Sequence, residues 1–289
     1  MIISCSRRTD IPAFYSDWLM ERIKAGYCMV PNPFNPNQVS KVSLKPDDVT
    51  AFVFWTRYPE PLIKHLKMLD EMGYKYYFLI TINNYPKNYE VNNPNINQVF
   101  SSINKLNNII GPEKIVWRYD PIILNESLNY DFHVKNFNFL IEHLKNKVRK
   151  IITSIITPYK KVVKKMKDIT FDLSCMNNED VYDLLRDINS IAKTNLMTLE
   201  ICSYKHSLAS IDIDKAKCID NNLLNDLYGL NLSYKKDKSQ RKECGCTVSK
   251  DIGQYNSCSM NCIYCYANTS YERALGNYSR HTDMTETIY

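Results

Sequence analysis

The chain has 289 residues, 44% of them hydrophobic and 12% aromatic, and a formal net charge of +6. That length and apolar content suit one enzyme-sized core rather than a disordered or fibrous chain. No apolar run approaches the ~18 residues that cross a bilayer, which argues against a membrane span. With 7 glycines and neither G-x-G-x-x-G nor a P-loop, binding of a dinucleotide or ATP through a glycine cradle is disfavoured.

In chain order, residues 2–4 read as a short opening strand, and apolar or aromatic runs of strand length follow at 51–55, 76–82, 115–119, 151–155 and 197–202. Helical spacing of apolar residues fills the intervals near 14–25, 60–72, 97–109, 131–147 and 180–193. Gly26, Gly73 and Gly111 each follow a helical stretch, where a left-handed cap is needed. Between 27 and 44 the alternation breaks. Residues 30–36 are too rich in proline for a helix or interior strand, and 38–44 alternate like a hairpin arm, an excursion expected at the mouth of the fold. Strands alternating with helices imply a parallel sheet. The expectation is an α/β fold, a (β/α)6-8 TIM-like barrel, complete or partial, over 1–228, followed by a cysteine-rich iron–sulfur extension over 229–289.

Cys258, Cys262 and Cys265 form a C-x3-C-x2-C cluster, with Tyr264 just before the last cysteine. Three thiolates so spaced can wrap an iron–sulfur cube and leave one iron without a protein ligand, open to a small molecule. Zinc is the alternative, but structural zinc takes four ligands in paired blocks, and no histidine lies near enough in sequence to complete a local site. The opening from Met1 has no apolar signal segment, so reduced thiols and a cytoplasmic location are expected. Cys202, Cys218, Cys244 and Cys246 would suffice for an auxiliary [4Fe-4S] cluster; the plainer reading makes Cys202 the buried end of a strand and Cys218 incidental. Cys5, Cys28 and Cys175 stand alone as core or loop residues.

The run Cys258-Ser259-Met260-Asn261-Cys262-Ile263-Tyr264-Cys265 resembles the signature of the radical S-adenosylmethionine (SAM) superfamily. The resemblance implies a [4Fe-4S] cluster whose free iron is chelated by SAM, with the Tyr264 segment lying along the adenine. One electron would then cleave SAM to a 5′-deoxyadenosyl radical that takes a hydrogen from substrate. It also implies a reducing electron donor such as flavodoxin or ferredoxin, and anaerobic chemistry. Most of that superfamily carries its cysteines after the first barrel strand, whereas here they lie far along the chain, so the usual order is rearranged. The chain also resembles a microbial domain-of-unknown-function family with a C-terminal cluster of this type. That likeness runs through Ser6-Arg7-Arg8-Thr9-Asp10-Ile11-Pro12-Ala13, Asn32-Pro33-Phe34-Asn35, Val53-Phe54-Trp55-Thr56, Trp117-Arg118-Tyr119-Asp120-Pro121 and Lys235-Lys236-Asp237-Lys238.

Barrel enzymes place their chemistry at the carboxyl ends of strands. Arg7, Arg8 and Asp10, then Thr56 and Arg57, Asn83 and Asn84, Arg118 and Asp120, Thr157, and Cys202 occupy those positions. Arg118 is the candidate for the SAM carboxylate, since a guanidinium grips two oxygens at once. Thr56, Asn83 and Tyr264 join it as SAM contacts, with Glu200 as a candidate for the SAM amine in place of a missing Gly-Gly-Glu-type edge. Arg8 and Asp10 are the candidates at the substrate. The competing reading of Arg7, Arg8 and Asp10 is a loop ion pair with a helix capped by Asp10 ahead of Pro12.

Lysines gather twice, at Lys160, Lys161, Lys164, Lys165 and Lys167, and at Lys235, Lys236, Lys238, Arg241 and Lys242. The first group reads as a solvated helix face. The second leads into Cys244 and would suit a nucleotide-like or otherwise acidic partner, and the leading expectation is a nucleotide-like or peptide-like substrate. The rival class is a non-catalytic zinc or iron–sulfur module contacting nucleic acid.

Overall fold

The computed structural model describes residues 1–167 and 178–289; Cys175 lies outside them. Eight strands form one parallel sheet: β1 (Ile2–Cys5), β4 (Ala51–Thr56), β5 (Tyr76–Thr81), β6 (Ile115–Ile122), β7 (Lys150–Ile155), β8 (Thr198–Ile201), β9 (Asp214–Lys215) and β10 (Lys250–Asp251). Spatial neighbours follow chain order from β1 to β9, and β10 returns to lie beside β1. The expected six strands are all present. The two additional ones, β9 and β10, are two residues each and polar. The strand β10 comes from the segment assigned to the extension, which therefore shares the sheet.

Period-two alternation sorts the sheet into two faces. Ile3, Phe52, Phe54, Tyr76, Phe78, Trp117, Ile151 and Leu199 pack into one large core with the helices α1 (Ile11–Phe14), α2 (Ser16–Ala25), α3 (Glu60–Ile63), α4 (Leu66–Glu71), α5 (Ile96–Ile110), α6 (Tyr130–Leu144), α7 (Lys160–Lys165) and α8 (Asn178–Thr194). The opposite residues, Val53, Tyr77, Leu79, Val116 and Ile152, form a second core with Ala216, Cys218, Ile219, Cys244, Cys246 and Leu224 of α9 (Asn221–Tyr228). Phe54, Phe78 and Trp117 are fully buried, and each such ring contributes about 1.5–3 kcal/mol by leaving water. No helix among the described residues is long and apolar enough to cross a membrane.

The 27–44 excursion is an antiparallel hairpin, β2 (Tyr27–Pro31) with β3 (Val39–Ser43). It leaves the end of α2 through Gly26, which takes the left-handed conformation at φ 78° and ψ 6°, and it leads into β4. It therefore sits at the amino ends of the strands, not at the mouth as expected. Gly111 also has positive φ, at 79°, but its ψ of 162° is not that of a left-handed cap.

Beyond β10 the chain forms α10 (Tyr271–Tyr278) and folds back on its own α2 and β2. Trp18 Nε1 donates to Thr285 O at 2.8 Å, and Met29 N donates to Glu286 O at 2.8 Å.

Candidate functional site

Strand β10 anchors the loop after β1. The Asp251 carboxylate accepts Ser4 Oγ at 2.8 Å, Ser6 Oγ at 2.9 Å, Arg7 N at 2.8 Å and Gly253 N at 3.0 Å. A Cβ at Gly253 would fall 1.9 Å from Ser6 Oγ, so only glycine admits this approach. Arg8 lies with its guanidinium 5.4 Å from the Tyr255 ring centroid and Nη1 3.4 Å from Gly253 O. Asp10 caps α1 by accepting Ala13 N at 3.1 Å and also accepts Arg57 N at 2.7 Å. Burial pushes its carboxyl up to about 6, against those donors and the Thr56 hydroxyl. The capping reading of Asp10 is thus what the chain adopts, and Thr56 joins this loop rather than the Tyr264 group.

The segment carrying Cys258, Cys262 and Cys265 follows β10 and is clasped by the loop after β5. Glu90 and Cys262 form an antiparallel bridge, Ile263 N donates to Tyr89 O at 3.0 Å, and Asn92 N donates to Met260 O at 3.1 Å. Asn268 Nδ2 donates to Cys258 O at 2.6 Å, and the Lys165 ammonium donates to Cys265 O. Burial pushes the Cys262 thiol up to about 12, with Arg57 pulling it back and Glu90 and Cys265 adding to the rise. Cys258 is raised by burial first and then by Asp10, Cys265 and Cys262. The three thiols therefore share one electrostatic neighbourhood, with Arg57 and Lys165 as nearby cations. Among the described residues, no three His, Cys, Asp or Glu groups converge as they would around a single metal ion.

Tyr264 is buried beside this segment and its hydroxyl is a hub. It receives Arg57 Nη2 at 2.6 Å and Asn83 Nδ2 at 3.1 Å, and it donates to the Glu90 carboxylate. Arg57 Nη1 also meets Glu90 Oε1 at 2.6 Å. Asn83 is held by an exchange with Asp120, giving its Nδ2 to Asp120 O at 2.9 Å and taking Asp120 N at 2.8 Å. A cavity of about 340 Å³ opens here, lined by Arg57, Thr81, Asn83, Glu90 and Asn93 among others. The Cys262 sulfur lies 3.5 Å from Oδ1 of Asn93, one of these lining residues.

Arg118 lies on the other face of the sheet. It pairs with Asp120, donates Nη1 to Thr81 Oγ1 at 3.2 Å, and stacks 4.8 Å from the Trp55 ring. Arg7 stacks on the same indole at 5.5 Å. Arg7 also lies 3.9 Å from Asp237. Cys218, Cys244 and Cys246 belong to the second core on this face, with Cys202 packed against it. Glu200 stands apart, paired with Lys150 at 2.8 Å.

The basic runs divide. Lys160, Lys164 and Lys167 are exposed, as expected of a solvated face, whereas Lys161 lies 5.2 Å from the Tyr255 ring and Lys165 holds the Cys265 backbone. The second run brackets the C-x-C turn, with Asp237 N donating to Cys246 O at 3.0 Å and Val248 N to Lys235 O at 2.7 Å. The sequence placed Arg57 among the strand-end positions without a specific role, put Lys165 on a solvated helix face that it does not share, and left Glu90 unassigned. Glu90 is the one acidic residue in the Asn- and Pro-rich stretch 83–95, a signal that was readable. Lys165 had nothing to mark it off from its lysine neighbours.

Fold and site together define an α/β protein whose parallel sheet carries two groups of cysteine thiols around the carboxyl ends of its strands. The chain belongs to the family described as a domain of unknown function (DUF1848), which matches residues 2–267. No curated protein matches it.

Proposed function

We propose that this protein is a cytoplasmic radical SAM enzyme, in which Cys258, Cys262 and Cys265 hold a [4Fe-4S] cluster and SAM occupies the neighbouring cavity. The observation that carries the reading is that Cys262 touches Asn93, one of the residues that, with Arg57, Asn83 and Glu90, line a cavity next to the cysteine segment. A carboxylate and an amine on one ligand would be matched there by Arg57 and Glu90. Arg118 and Glu200, the sequence candidates for those two roles, are engaged by Asp120 and Lys150, and Arg57 and Glu90 would have to exchange their own pair for the ligand's groups. When bound, cluster and SAM supply reductive cleavage of a carbon–sulfur bond, giving a 5′-deoxyadenosyl radical. The chain's own residues hold the cluster-bearing loop through Asn92, Asn268 and Lys165 and hold the Tyr264 ring in place through Arg57, Asn83 and Glu90.

The same reading takes the sheet as a TIM-like barrel with a cysteine-rich extension. Parallel crossovers share one hand, so strands added always in the same direction keep their helices on one face, as α1 to α8 are kept here, and let the sheet curl. Thr247 N donates to Ile219 O at 3.0 Å, linking the chain just after β9 to the chain just before β10.

The test is oxygen-free purification with iron and sulfide counted per chain, followed by reduction with dithionite and addition of SAM. A brown protein that releases 5′-deoxyadenosine, and loses that release on Cys262→Ala, is the expected result. A colourless zinc protein, or SAM cleavage undiminished in the Cys262→Ala variant, overturns the reading.

A further inference from the structure

Four thiols that the proposed chemistry does not use lie together against the inner face of the sheet. Cys202 directly follows β8, Cys218 follows β9, and Cys244 and Cys246 flank Gly245 on the approach to β10. Cys218, Cys244 and Cys246 are buried, and Cys202 is half-buried. The C-x-C turn is built for close approach, because a Cβ on Gly245 would sit 2.9 Å from Ala216 O. The backbone N–H of Ile219 points at the Cys246 sulfur from 3.4 Å.

Three buried polar atoms around these thiols have no hydrogen-bond partner: Arg7 Nη2, Arg118 Nε and the Trp55 indole N–H. Arg118 pairs with Asp120 and Arg7 lies 3.9 Å from Asp237, yet each guanidinium keeps one buried N–H without an acceptor where it stacks on Trp55. Thiolates around a metal–sulfide core would give those donors an acceptor. Ala216 N donates to Ile201 O at 2.8 Å, so the chain next to Cys202 runs against the segment that Gly245 approaches, and Cys246 meets the residue that follows Cys218.

We infer that Cys202, Cys218, Cys244 and Cys246 ligate a second iron–sulfur cluster, with Arg7 and Arg118 beside it. With all four corners held by thiolate, it has no open iron for a substrate and acts by electron transfer. It takes one electron from a reduced flavin or iron–sulfur donor protein and passes one on to the cluster at Cys258, Cys262 and Cys265. The electron-transfer role rests on the reductive chemistry proposed above, whereas the site does not.

The experiment uses the full chain reconstituted anaerobically with ferrous iron and sulfide. A Cys258→Ala/Cys262→Ala/Cys265→Ala variant, altered away from these four thiols, is expected to keep about half of the iron and a reduced-cluster paramagnetic resonance signal that SAM leaves unchanged. The complementary Cys202→Ser/Cys246→Ser variant is expected to lose about half of the iron and keep a SAM-sensitive signal. In the triple variant, Arg118→Gln is expected to make the midpoint potential more negative, because a cation that stabilised the added electron is gone. Loss of all iron from a triple variant that remains folded by circular dichroism overturns the second cluster. Stoichiometric zinc at the four thiols overturns it as well. Absence of SAM cleavage, with the iron at the four thiols intact, would fail the proposed function and leave this site standing.

Discussion

Arg57 and Glu90 meet at 2.6 Å with the Tyr264 hydroxyl shared between them, so a charge pair and a phenol from three distant parts of the chain form one buried unit. Such a unit is tolerated because each member satisfies another, and removing one partner strands a charge. Glu90→Ala is therefore expected to lower unfolding free energy by about 3–5 kcal/mol. Tyr264→Phe, which deletes a hydroxyl but no charge, is expected to lower it by roughly 1–3 kcal/mol. Urea unfolding of the two variants checks the ranking, and equal losses would contradict it.

The approach of Gly253 to Ser6 predicts a steric defect with a specific remedy. In Gly253→Ala the new methyl would lie 1.9 Å from Ser6 Oγ and 2.6 Å from Ser6 Cβ, forcing the β1 and β10 loops apart. A loss of about 1–3 kcal/mol is expected for such overpacking. Adding Ser6→Gly should recover part of it, although Thr9 Cγ2 at 3.2 Å limits the recovery. Thermal melts of the two single variants and the double variant test this, and strict additivity would speak against the contact.

His133 carries a pH prediction. Its ring is buried, with Nδ1 2.8 Å from the Tyr119 hydroxyl and Nε2 2.9 Å from Ile123 O, and burial pushes its pKa down from 6.5 to about 4. Between those values the unfolded imidazole binds a proton that the folded one does not. Stability should then fall as pH drops from 6.5 to 4, by on the order of 3 kcal/mol, and level off below. His133→Gln should flatten that part of the stability profile measured by urea unfolding from pH 7 to 4. An unchanged slope would show that His133 is not its source.

The sheet was readable because its strands carry their own signal. Phe52, Phe54, Phe78 and Trp117 are bulky and apolar on a face that helices cover, so hydrophobic runs mark β4 and β5 within a residue of their ends and mark the start of β6, which continues to Ile122 beyond the expected 119. Asp214, Lys215, Lys250 and Asp251 give no such pattern, because two-residue strands at the margins of the sheet are stabilised by their neighbours rather than by their own burial. The hairpin at 27–43 was recognised by its prolines and alternation, yet its place was misjudged. A segment lying between a helix and the next parallel strand must sit at the amino ends. At the site, thiol spacing was visible locally, but the pairing of Arg57 with Glu90 and the shelter of Cys265 by Lys165 arise from loops that only folding brings together.

Pairing of β1 with β10 ties residues near 3 to residues near 250. During synthesis, the opening strand must wait on one edge without that neighbour until the ribosome has passed this point. Cys202, Cys218, Cys244 and Cys246 are all made before β10, whereas Cys258, Cys262 and Cys265 follow it. A nascent chain stalled before residue 244 would hold Cys202 and Cys218 without Cys244 and Cys246, and one stalled before residue 258 would lack the Cys258, Cys262 and Cys265 group altogether.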